Sequence, residues 1–561
     1  MNIGFSWKKW RGELLDLRRA KRIAVIGGGI AGWFAALMLR RVFNPQVEII
    51  VFDVLSHNAI ADGEGGLVNF INGLQRASID FDDFMQVTGA SFKMGTEFCG
   101  WRNGGADDIY YHLYPARDDH VEELDYHFHG IWPYLAMRIA TQAPLDSFMP
   151  GFSLIRSGAS PIEAKAVFNL HRSGVLPTLH FNRGKVIEYL KNLAQKRQIT
   201  VRDQQVDDIV INEKGFATAL KLQGNNDLAI DFLIDASGLK RFVIGEKFKA
   251  KWLSYSACLL QDRAVAFNTP NISRIPALVT RSLAMKAGYL WQVTLRDSIS
   301  NICVYSSKYA DEAAIKQEIG QMLGTPIDKT SSLSFTPGNF EDAWVNNVVA
   351  LGKSSGYIEP LEATSIGQLM LALSHLENAL IDCQGIICHQ TIAAFNRGNF
   401  ESWMKAADFV RMHYDGGRND SAFWRAANAA KRSIYYADMK SCFQQRLPRP
   451  IDIEAYGSSS WQSLFHIIDW LFVAAPLGII TPQAAMADLN SLTPTIRQRM
   501  EQYGREIMRQ KSGHASMSGQ NYHSYFQAQA QSLPWQDAAG IANLSQHGFG
   551  ETGETLRAKE R

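Results

Sequence analysis

The chain has 561 residues, of which 46% are hydrophobic and 20% charged, and a formal net charge of +2. This length exceeds one compact core, so we expect two or three subdomains with the composition of an ordinary globular protein. The nearly balanced charge gives no reason to expect nucleic acid or an anionic membrane as the main partner.

The cysteine pattern and the hydropathy indicate a cytoplasmic protein. The six cysteines include no CxxC pair, which predicts no metal site and suits a reducing compartment. We see no signal peptide, and no apolar run approaches the ~18 residues of a membrane span. Residues 1–20 form a basic amphipathic extension, for which we expect a short helix packed on the first domain. Contact with a membrane surface or a partner is the alternative.

The first recognisable motif is a glycine-rich turn between a strand and a helix. Ile23 to Ile26 is a short apolar run typical of a buried parallel strand, and Gly27-x-Gly29-x-x-Gly32 follows it directly. A helix is predicted from Trp33 onward, and its N-terminus would offer free amides to phosphate groups. The order strand, glycine turn and helix is the dinucleotide-binding fingerprint. A glycine turn without a ligand is the alternative.

Two further strands support a dinucleotide site. Val47 to Phe52 ends at Asp53, where an acid is expected to meet a ribose hydroxyl. Ala229 to Leu239 contains the sequence Asp235-x-Ser237-Gly238, which allows a second approach of backbone to the nucleotide. Such a return is typical of flavoproteins with two-dinucleotide folds.

Ser91 to Trp101 is predicted to be one strand. The alternation of apolar residues places Phe92 and Met94 on one face of this strand and Lys93 on the other face. From this spacing alone, Lys93 is a surface residue with Glu97 as a possible partner. The aromatic-rich sequence that follows can build a core or stack on an aromatic substrate.

A third buried strand, Val345 to Gly352, leads into a loop and then into an apolar helix, Ile366 to Ile381. Because the loop feeds a helix N-terminus, it is a candidate anion site. Glu359 and Glu362 are equally suited to be the acid at the start of that helix. His413 and Tyr414, farther along, are expected to pack rather than to take part in chemistry.

Several of these segments together resemble the flavin-dependent tryptophan halogenases. The resemblance covers about residues 21 to 480 in the family's order, and it is carried by GGGIAGW (27–33), FKMGTEF (92–98), YYHLY (110–114), DFLIDASG (231–238), AWVNNVVALGKSSGYIEPLEATSI (343–366) and DFVRMHY (408–414).

The resemblance implies an α/β fold with a Rossmann-like FAD-binding domain of the two-dinucleotide-fold type. The FAD-binding core spans 21–400, with a β-rich substrate region inserted at about 95–180 and 245–335. A helical part at 401–510 would close the substrate pocket, and a polar tail at 511–561 is expected to be partly disordered.

The resemblance also assigns roles to individual residues. Lys93 and Glu362 fall on the catalytic lysine and glutamate, and Thr364 and Ser365 on the Thr–Gly pair that holds halide. The substrate residues would be His112, Tyr114 and Phe465. The FAD-binding residues would be Gly27, Gly29, Gly32, Trp33, Asp53, Asp235, Gly238, Gly352 and Ser355.

The implied reaction uses reduced FAD, O₂, and chloride or bromide. A flavin hydroperoxide would oxidise halide to hypohalous acid, which Lys93 would deliver to an aromatic ring while Glu362 orients it or takes the ring proton. No nicotinamide site is evident, so a separate flavin reductase is the expected partner, and a homodimer is possible.

Three segments depart from the family pattern. The WxWxIP signature is replaced by Tyr289 to Thr294, and the GEATIP loop by Gly63 to Val68. Around Ser458 to Phe465 the residues that clamp free tryptophan are missing, which favours an indole-like substrate less decorated than tryptophan.

A monooxygenase that hydroxylates an aromatic ring or a protein tryptophan is the alternative enzyme. A non-catalytic flavin-binding partner protein is the alternative of another class.

Overall fold

The computed structural model describes residues 14–53, 61–105, 107–114, 132–146, 150–160, 177–224, 226–327, 329–454, 461–495 and 498. The β-strands are β1 Leu15–Asp16, β2 Arg22–Ile26, β3 Glu48–Phe52, β4 Gly63–Gly65, β5 Ser91–Lys93, β6 Gly95–Cys99, β7 Ile109–Leu113, β8 Thr178–Asn182, β9 Thr200–Arg202, β10 Val206–Ile211, β11 Ala217–Leu222, β12 Asn226–Ala229, β13 Phe232–Asp235, β14 Trp252–Ser254, β15 Arg263–Pro270, β16 Val279–Met285, β17 Gly288–Thr294, β18 Ser298–Tyr305, β19 Ser331–Ser334, β20 Gly338–Phe340, β21 Trp344–Val345, β22 Val348–Ala350, β23 Gly356–Tyr357 and β24 Ile386–Ile387.

The α-helices are α1 Ile30–Val42, α2 Asn69–Arg76, α3 Phe81–Thr88, α4 Trp132–Ala140, α5 Pro150–Arg156, α6 Arg183–Lys196, α7 Glu312–Leu323, α8 Thr364–Asp382, α9 His389–His413, α10 Ala422–Ala429, α11 Ile434–Phe443, α12 Pro450–Glu454, α13 Ile467–Ala474 and α14 Pro482–Ser491. A π-helix covers Phe242–Lys247. Within the described part, no helix has both the length and the apolarity needed to cross a membrane.

A six-stranded sheet with the order β21-β22-β13-β2-β3-β9 forms the centre of the predicted nucleotide domain. Its strands are parallel except β21, and Val25 of β2 pairs with Val51 of β3 and Ile234 of β13. Residues 23–26 of β2, 49–52 of β3 and 232–234 of β13 are apolar and buried, as expected for a parallel sheet covered on both faces. The carboxyl ends of β2, β3, β13 and β22 therefore meet at one edge, as the sequence predicted.

A larger, mainly antiparallel sheet has the order β19-β15-β18-β17-β16-β6-β7. The strand β6 joins it by parallel pairing with β16 and antiparallel pairing with β7. The short strand β5 belongs to a different sheet, where it pairs with β8 beside β4. This arrangement brings β7, β17 and β5 around one region of the core.

The prediction of a single strand over Ser91 to Trp101 is wrong. Two strands form, and the chain changes sheet between Lys93 and Gly95. Gly95 has φ of +155°, and a Cβ at this position would lie 2.1 Å from the carbonyl oxygen of His112. Only glycine combines this backbone conformation with so close a strand contact. Lys93 and Glu97 consequently lie in different sheets.

The ends of the chain are described only in part. Residues 15–19 form β1 and a 3₁₀ turn, not the helix that was expected, and β1 pairs with β24. Residues 1–13 and the tail at 511–561 lie outside the described residues. The described part beyond residue 400 is mainly helical, as predicted, and it buries Trp403, Trp424 and Trp470 in the same core as Trp101.

We expect Gly95→Ala to lower the free energy of unfolding by more than about 2 kcal/mol, because the new methyl group meets the His112 backbone. Gly417→Ala is a matched control: it also has positive φ (+84°), but its Cβ would meet nothing within 4 Å. This control should lose only about 1 kcal/mol from backbone strain. Chemical denaturation of both variants measures the difference, and equal losses would contradict the contact argument.

Candidate active site

The glycine turn after β2 is built for close backbone approach. Gly27 has φ of +117°, and a Cβ on Gly32 would lie 1.8 Å from the Gly27 carbonyl oxygen. Gly29 is the N-cap of α1, and no side chain caps this helix end among the described residues. The first amides of α1 are thus available to an anion, as a pyrophosphate requires.

A second segment packs over the start of α1. Gly352 has φ of +60°, and a Cβ there would lie 2.9 Å from the Ala31 side chain. Ser354 Oγ accepts a hydrogen bond from the Gly238 amide at 2.8 Å, and Ser355 Oγ donates to the Gly352 carbonyl at 3.0 Å. These contacts join the ends of β13 and β22 at the edge of the sheet.

Trp33 lies on α1 near this edge. Its side chain is fully buried, and its indole nitrogen has no hydrogen-bond partner in the described part of the chain. A buried donor without a partner and two glycine-lined backbone segments fit a bound dinucleotide. The residues present are therefore compatible with FAD.

The two acids predicted at this edge have protein partners. Asp53 is buried, and its Oδ2 pairs with the Lys191 ammonium at 2.7 Å. A Cβ on Gly28 would lie 1.8 Å from Asp53 Oδ1, so the carboxylate touches the glycine turn. Asp235 accepts hydrogen bonds from the amides of Val243 and Ile244. It therefore caps the π-helix, and its contact with cofactor stays a prediction.

Lys93 is fully buried at the end of β5, so the interpretation as a surface residue is wrong. Its Nζ donates to the Gly66 carbonyl at 3.3 Å and lies 5.4 Å and 5.9 Å from the ring centres of Tyr114 and Trp291. Burial lowers the pKa of Lys93, and the charge of Glu362 only partly opposes this, so the pKa is about 8. Close to neutral pH the amine thus exchanges readily between its charged and neutral forms.

The segment Gly63 to Val68, which departs from the family's loop, runs directly beside Lys93. A Cβ on Gly65 would lie 3.2 Å from Lys93 Nζ. His180 of β8 is on the same side, fully buried, and its Nε2 lies 2.7 Å from Thr280 Oγ1. Burial and the nearby Lys93 charge lower the pKa of His180 to about 3, so this imidazole is neutral.

Glu362 lies in a strained turn immediately before α8. Glu362 and Ala363 have φ of +64° and +54°, a rare conformation for residues other than glycine. The carboxylate is fully buried, and its Oε1 accepts hydrogen bonds from His112 Nδ1 at 2.8 Å and His413 Nε2 at 3.0 Å. Thr96 Oγ1 lies 3.5 Å from the other oxygen, Oε2. Oε2 is therefore the more weakly held oxygen.

A carboxylate–imidazole–carboxylate chain crosses the site. His112 Nε2 lies 3.1 Å from Asp469 Oδ1, and Asp469 also accepts from the His466 amide at the start of α13. Burial alone would lower the pKa of His112, but Glu362 and Asp469 outweigh it and raise the pKa to about 10. The charges of His112 and His413 likewise overcome burial and hold the pKa of Glu362 well below its usual range. The site therefore contains a carboxylate at Glu362 and an imidazolium at His112.

The first glutamate of the loop, Glu359, is also buried. Tyr414 donates a hydrogen bond to Glu359 Oε1 at 2.7 Å, and Gln261 donates to the Tyr414 oxygen at 2.6 Å. His413 and Tyr414 both hydrogen-bond to acids of this loop, so they hold its carboxylates in addition to packing. That they take no part in the chemistry stays a prediction. A His–Tyr pair at the end of a long helix and Asp469 inside the apolar run IIDWLFVA were the available signals for the missed residues.

The predicted halide residues begin α8. Thr364 is buried, Ser365 is partly buried, and no described side chain caps this helix start. Of the predicted substrate residues, Tyr114 lies 5.8 Å from His112 between ring centres, and Phe465 lies 6.5 Å from it. The structure thus brings the predicted catalytic and substrate residues together. Residues 455–460, including Ser458, lie outside the described residues.

Comparison with known proteins shows the family of this chain. The sequence profile of the tryptophan halogenase family matches residues 22–491. The chain is 40% identical over 490 residues to the uncharacterized protein y4xG of Sinorhizobium fredii, covering 87% of this chain and 96% of that one. It is 28% identical over 459 residues to tryptophan 7-halogenase KtzQ of Kutzneria sp., covering 77% and 83%.

The fold is likewise similar to that of solved halogenases. BrvH, a flavin-dependent halogenase from Brevundimonas sp. BAL3, superposes with a TM-score of 0.74 at 25% identity, covering 91% of this chain and 99% of BrvH. The family match and the fold define a flavin-dependent halogenase, an enzyme class. The chain belongs to the tryptophan halogenase family, and the family and the α/β fold predicted from the sequence are confirmed.

We expect Asp469→Asn to lower the pKa of His112 by about 1 or more, because one of the two carboxylates that stabilise the imidazolium is lost. Nitrogen NMR of the labelled imidazole measures this directly. Asp488→Asn is the control, since Asp488 is a similarly buried acid that pairs with Arg449 at 3.0 Å. An unchanged His112 titration in Asp469→Asn would contradict the proposed chain.

Proposed function

We propose that this enzyme halogenates an aromatic, indole-like substrate with FAD, O₂ and chloride or bromide. The observation that carries the proposal is a buried lysine and a buried carboxylate that converge from distant segments. Lys93 comes from β5, whereas Glu362 comes from the turn before α8 and is held by two histidines. Buried charged groups are costly, and such arrangements are concentrated at functional sites.

The protein's part in binding cofactor falls to the edge of the parallel sheet. Gly27, Gly29 and Gly32 would hold the pyrophosphate at the start of α1, while Gly352 and Ser355 would line the second wall. Reduced FAD, when bound, supplies with O₂ the oxidising equivalent that converts halide into an electrophilic halogen. A separate flavin reductase would provide the reduced cofactor.

Lys93 would bind the oxidised halogen and direct it to one ring carbon. Its ammonium form can donate hydrogen bonds, and its neutral form can accept halogen as a nucleophile. A pKa of about 8 keeps both forms accessible near neutral pH. The rings of Tyr114 and Trp291 exclude water around Nζ, which limits loss of a small, reactive oxidant.

Glu362 would orient the oxidant or take the proton lost from the ring. The two imidazoles hold Oε1, which leaves Oε2 as the oxygen available for this task. A carboxylate with a lowered pKa is a weak base, so orientation and electrostatic stabilisation of the developing positive ring are its stronger contributions. Halide would bind the first amides of α8 at Thr364 and Ser365.

The aromatic substrate would lie beside His112, Tyr114 and Phe465. Phe465 stacks on Phe409 with ring centres 3.8 Å apart, which gives one wall of the pocket a rigid aromatic face. The clamp for the amino-acid part of tryptophan does not align in the sequence. An indole without this group is therefore the substrate class that we favour.

The experiment that tests the function is mass spectrometry of turnover mixtures containing FAD, NADH, a flavin reductase, and either chloride or bromide. Tryptophan, indole and simple phenols should be compared as substrates. We expect a halogen isotope pattern on an indole-type ring. A gain of one oxygen in both halides would replace the proposal with ring hydroxylation, and no oxygen uptake would indicate a flavin-binding protein without turnover.

Lys93→Met should lower halogenation at least ~100-fold, because the residue that positions the oxidant is lost. Oxidation of reduced FAD by O₂ should continue at a similar rate, since the sheet edge is unchanged. Product yield per O₂ consumed is the measurement, with the exposed Lys308→Met as control. A normal yield in Lys93→Met would remove this lysine from the mechanism.

Glu362→Gln should lower the rate of ring substitution ~100-fold while bound FAD remains unchanged. The amide preserves the size of the side chain but removes the charge that pairs with His112 and His413. Single-turnover kinetics with preformed reduced enzyme separates substitution from cofactor reduction. Glu377→Gln, a buried acid paired with Arg76, serves as the control. Equal rates in the two variants would refute the assignment.

A further inference from the structure

Glu359 is a buried acid that the proposed reaction does not use. Its side chain is about 1% exposed, and it lies three residues before Glu362 in the same loop. Oε1 accepts the Tyr414 hydroxyl at 2.7 Å, whereas Oε2 is buried with no hydrogen-bond partner among the described residues. An ionised carboxylate with one bare oxygen in such a place is strongly disfavoured.

The loop connects this acid to the start of α8. Thr364 Oγ1 donates a hydrogen bond to the main-chain carbonyl oxygen of Glu359 at 3.4 Å, and Thr364 is the first residue of that helix. The turn between them also contains Glu362, which already carries a negative charge. A second negative charge at Glu359 would oppose an anion at the helix start, since like charges in a low dielectric repel strongly.

We propose that Glu359 is a neutral carboxylic acid in the working enzyme and that its protonation permits halide to bind at Thr364 and Ser365. Glu359 acts through the loop and its charge and does not touch the reacting atoms, so it is a positioning residue. This inference rests on the proposed halide site.

The surroundings of Glu359 support this state. Burial raises the pKa of Glu359 to about 8, although the hydrogen bond from Tyr414 lowers it in part. Three tyrosines face Glu359 closely enough for its charge to raise their pKa, namely Tyr414 at the end of α9, Tyr289 of β17 and Tyr357 of β23. Burial raises the pKa of each tyrosine, so all three remain neutral between pH 7 and about 9.

Tyr414 fixes the position of the acid and tunes it. The Tyr414 hydroxyl accepts from Gln261 at 2.6 Å and donates to Glu359, so its proton direction is defined by two partners. The neighbouring residue His413 holds Glu362 at 3.0 Å. One helix end therefore controls both acids of the loop, one as an anion and one as a neutral acid.

The test is bromide affinity measured against pH on the FAD-loaded, oxidised enzyme, by calorimetry with sodium bromide. The dissociation constant should rise about tenfold between pH 7 and 9 in the wild type, because ionised Glu359 excludes halide. Glu359→Gln mimics the neutral acid and should bind bromide at pH 9 as tightly as at pH 7. A tenfold loss retained in Glu359→Gln would overturn the proposal.

Two further variants identify the titrating group independently. Tyr414→Phe removes the hydrogen bond that lowers the Glu359 pKa, so the loss of affinity should move to higher pH, and a move to lower pH would overturn the proposal. Lys93 also has a pKa of about 8 and is the rival titrating group. Lys93→Met should keep the tenfold loss, because Glu359 is unchanged in this variant. If the bromide dissociation constant of Lys93→Met did not change with pH, the effect would belong to the lysine and the role of Glu359 would be refuted. These readouts need no turnover, so failure of halogenation does not decide them.

Discussion

The site depends on one buried negative charge, that of Glu362, and on how the fold compensates for it. A carboxylate at this depth is stable only if neighbouring groups replace the water it has lost. His112 and His413 do so at 2.8 Å and 3.0 Å. Asp469 pairs with the other ring nitrogen, His112 Nε2. The charges of the hydrogen-bonded series Asp469–His112–Glu362 are therefore distributed over three elements of the fold.

That compensation explains the topology around the site. The imidazoles come from β7 and the end of α9, the second acid from α13, and the lysine from β5. None of these elements is close to another in sequence, except the neighbours β5 to β7. The break at Gly95 allows β5 to leave the sheet that contains β6. Lys93 and the turn that contains Glu362 can therefore both lie in the buried core of the site.

The sequence allowed much of the nucleotide domain to be predicted, because parallel strands and glycine turns leave strong local patterns. The strands ending at Ile26, Phe52 and Asp235 were all anticipated. The break between Lys93 and Gly95 was not, since alternation of apolar residues continues through it. Burial of Lys93 was inferred from family resemblance and not from spacing.

The polar network was less predictable. Asp469 lies in the apolar run IIDWLFVA, whereas His413 and Tyr414 lie at the end of α9 among other polar residues. Neither setting gives a local sign of the hydrogen-bond partner. Their roles become visible only when α9 and α13 pack against the loop before α8. Long-range hydrogen bonds of this kind are set by tertiary packing, which periodicity does not encode.

Helix α9 connects the strand pair β1–β24 to the site. It has 25 residues and spans about 37 Å. It begins two residues after β24, which pairs with the N-terminal strand β1, and it ends at His413. An axial slip of one residue displaces that imidazole by about 1.5 Å, half the length of its bond to Glu362. The pairing of β1 with β24 therefore fixes the start of α9, and the length of α9 then determines where His413 meets the Glu362 carboxylate.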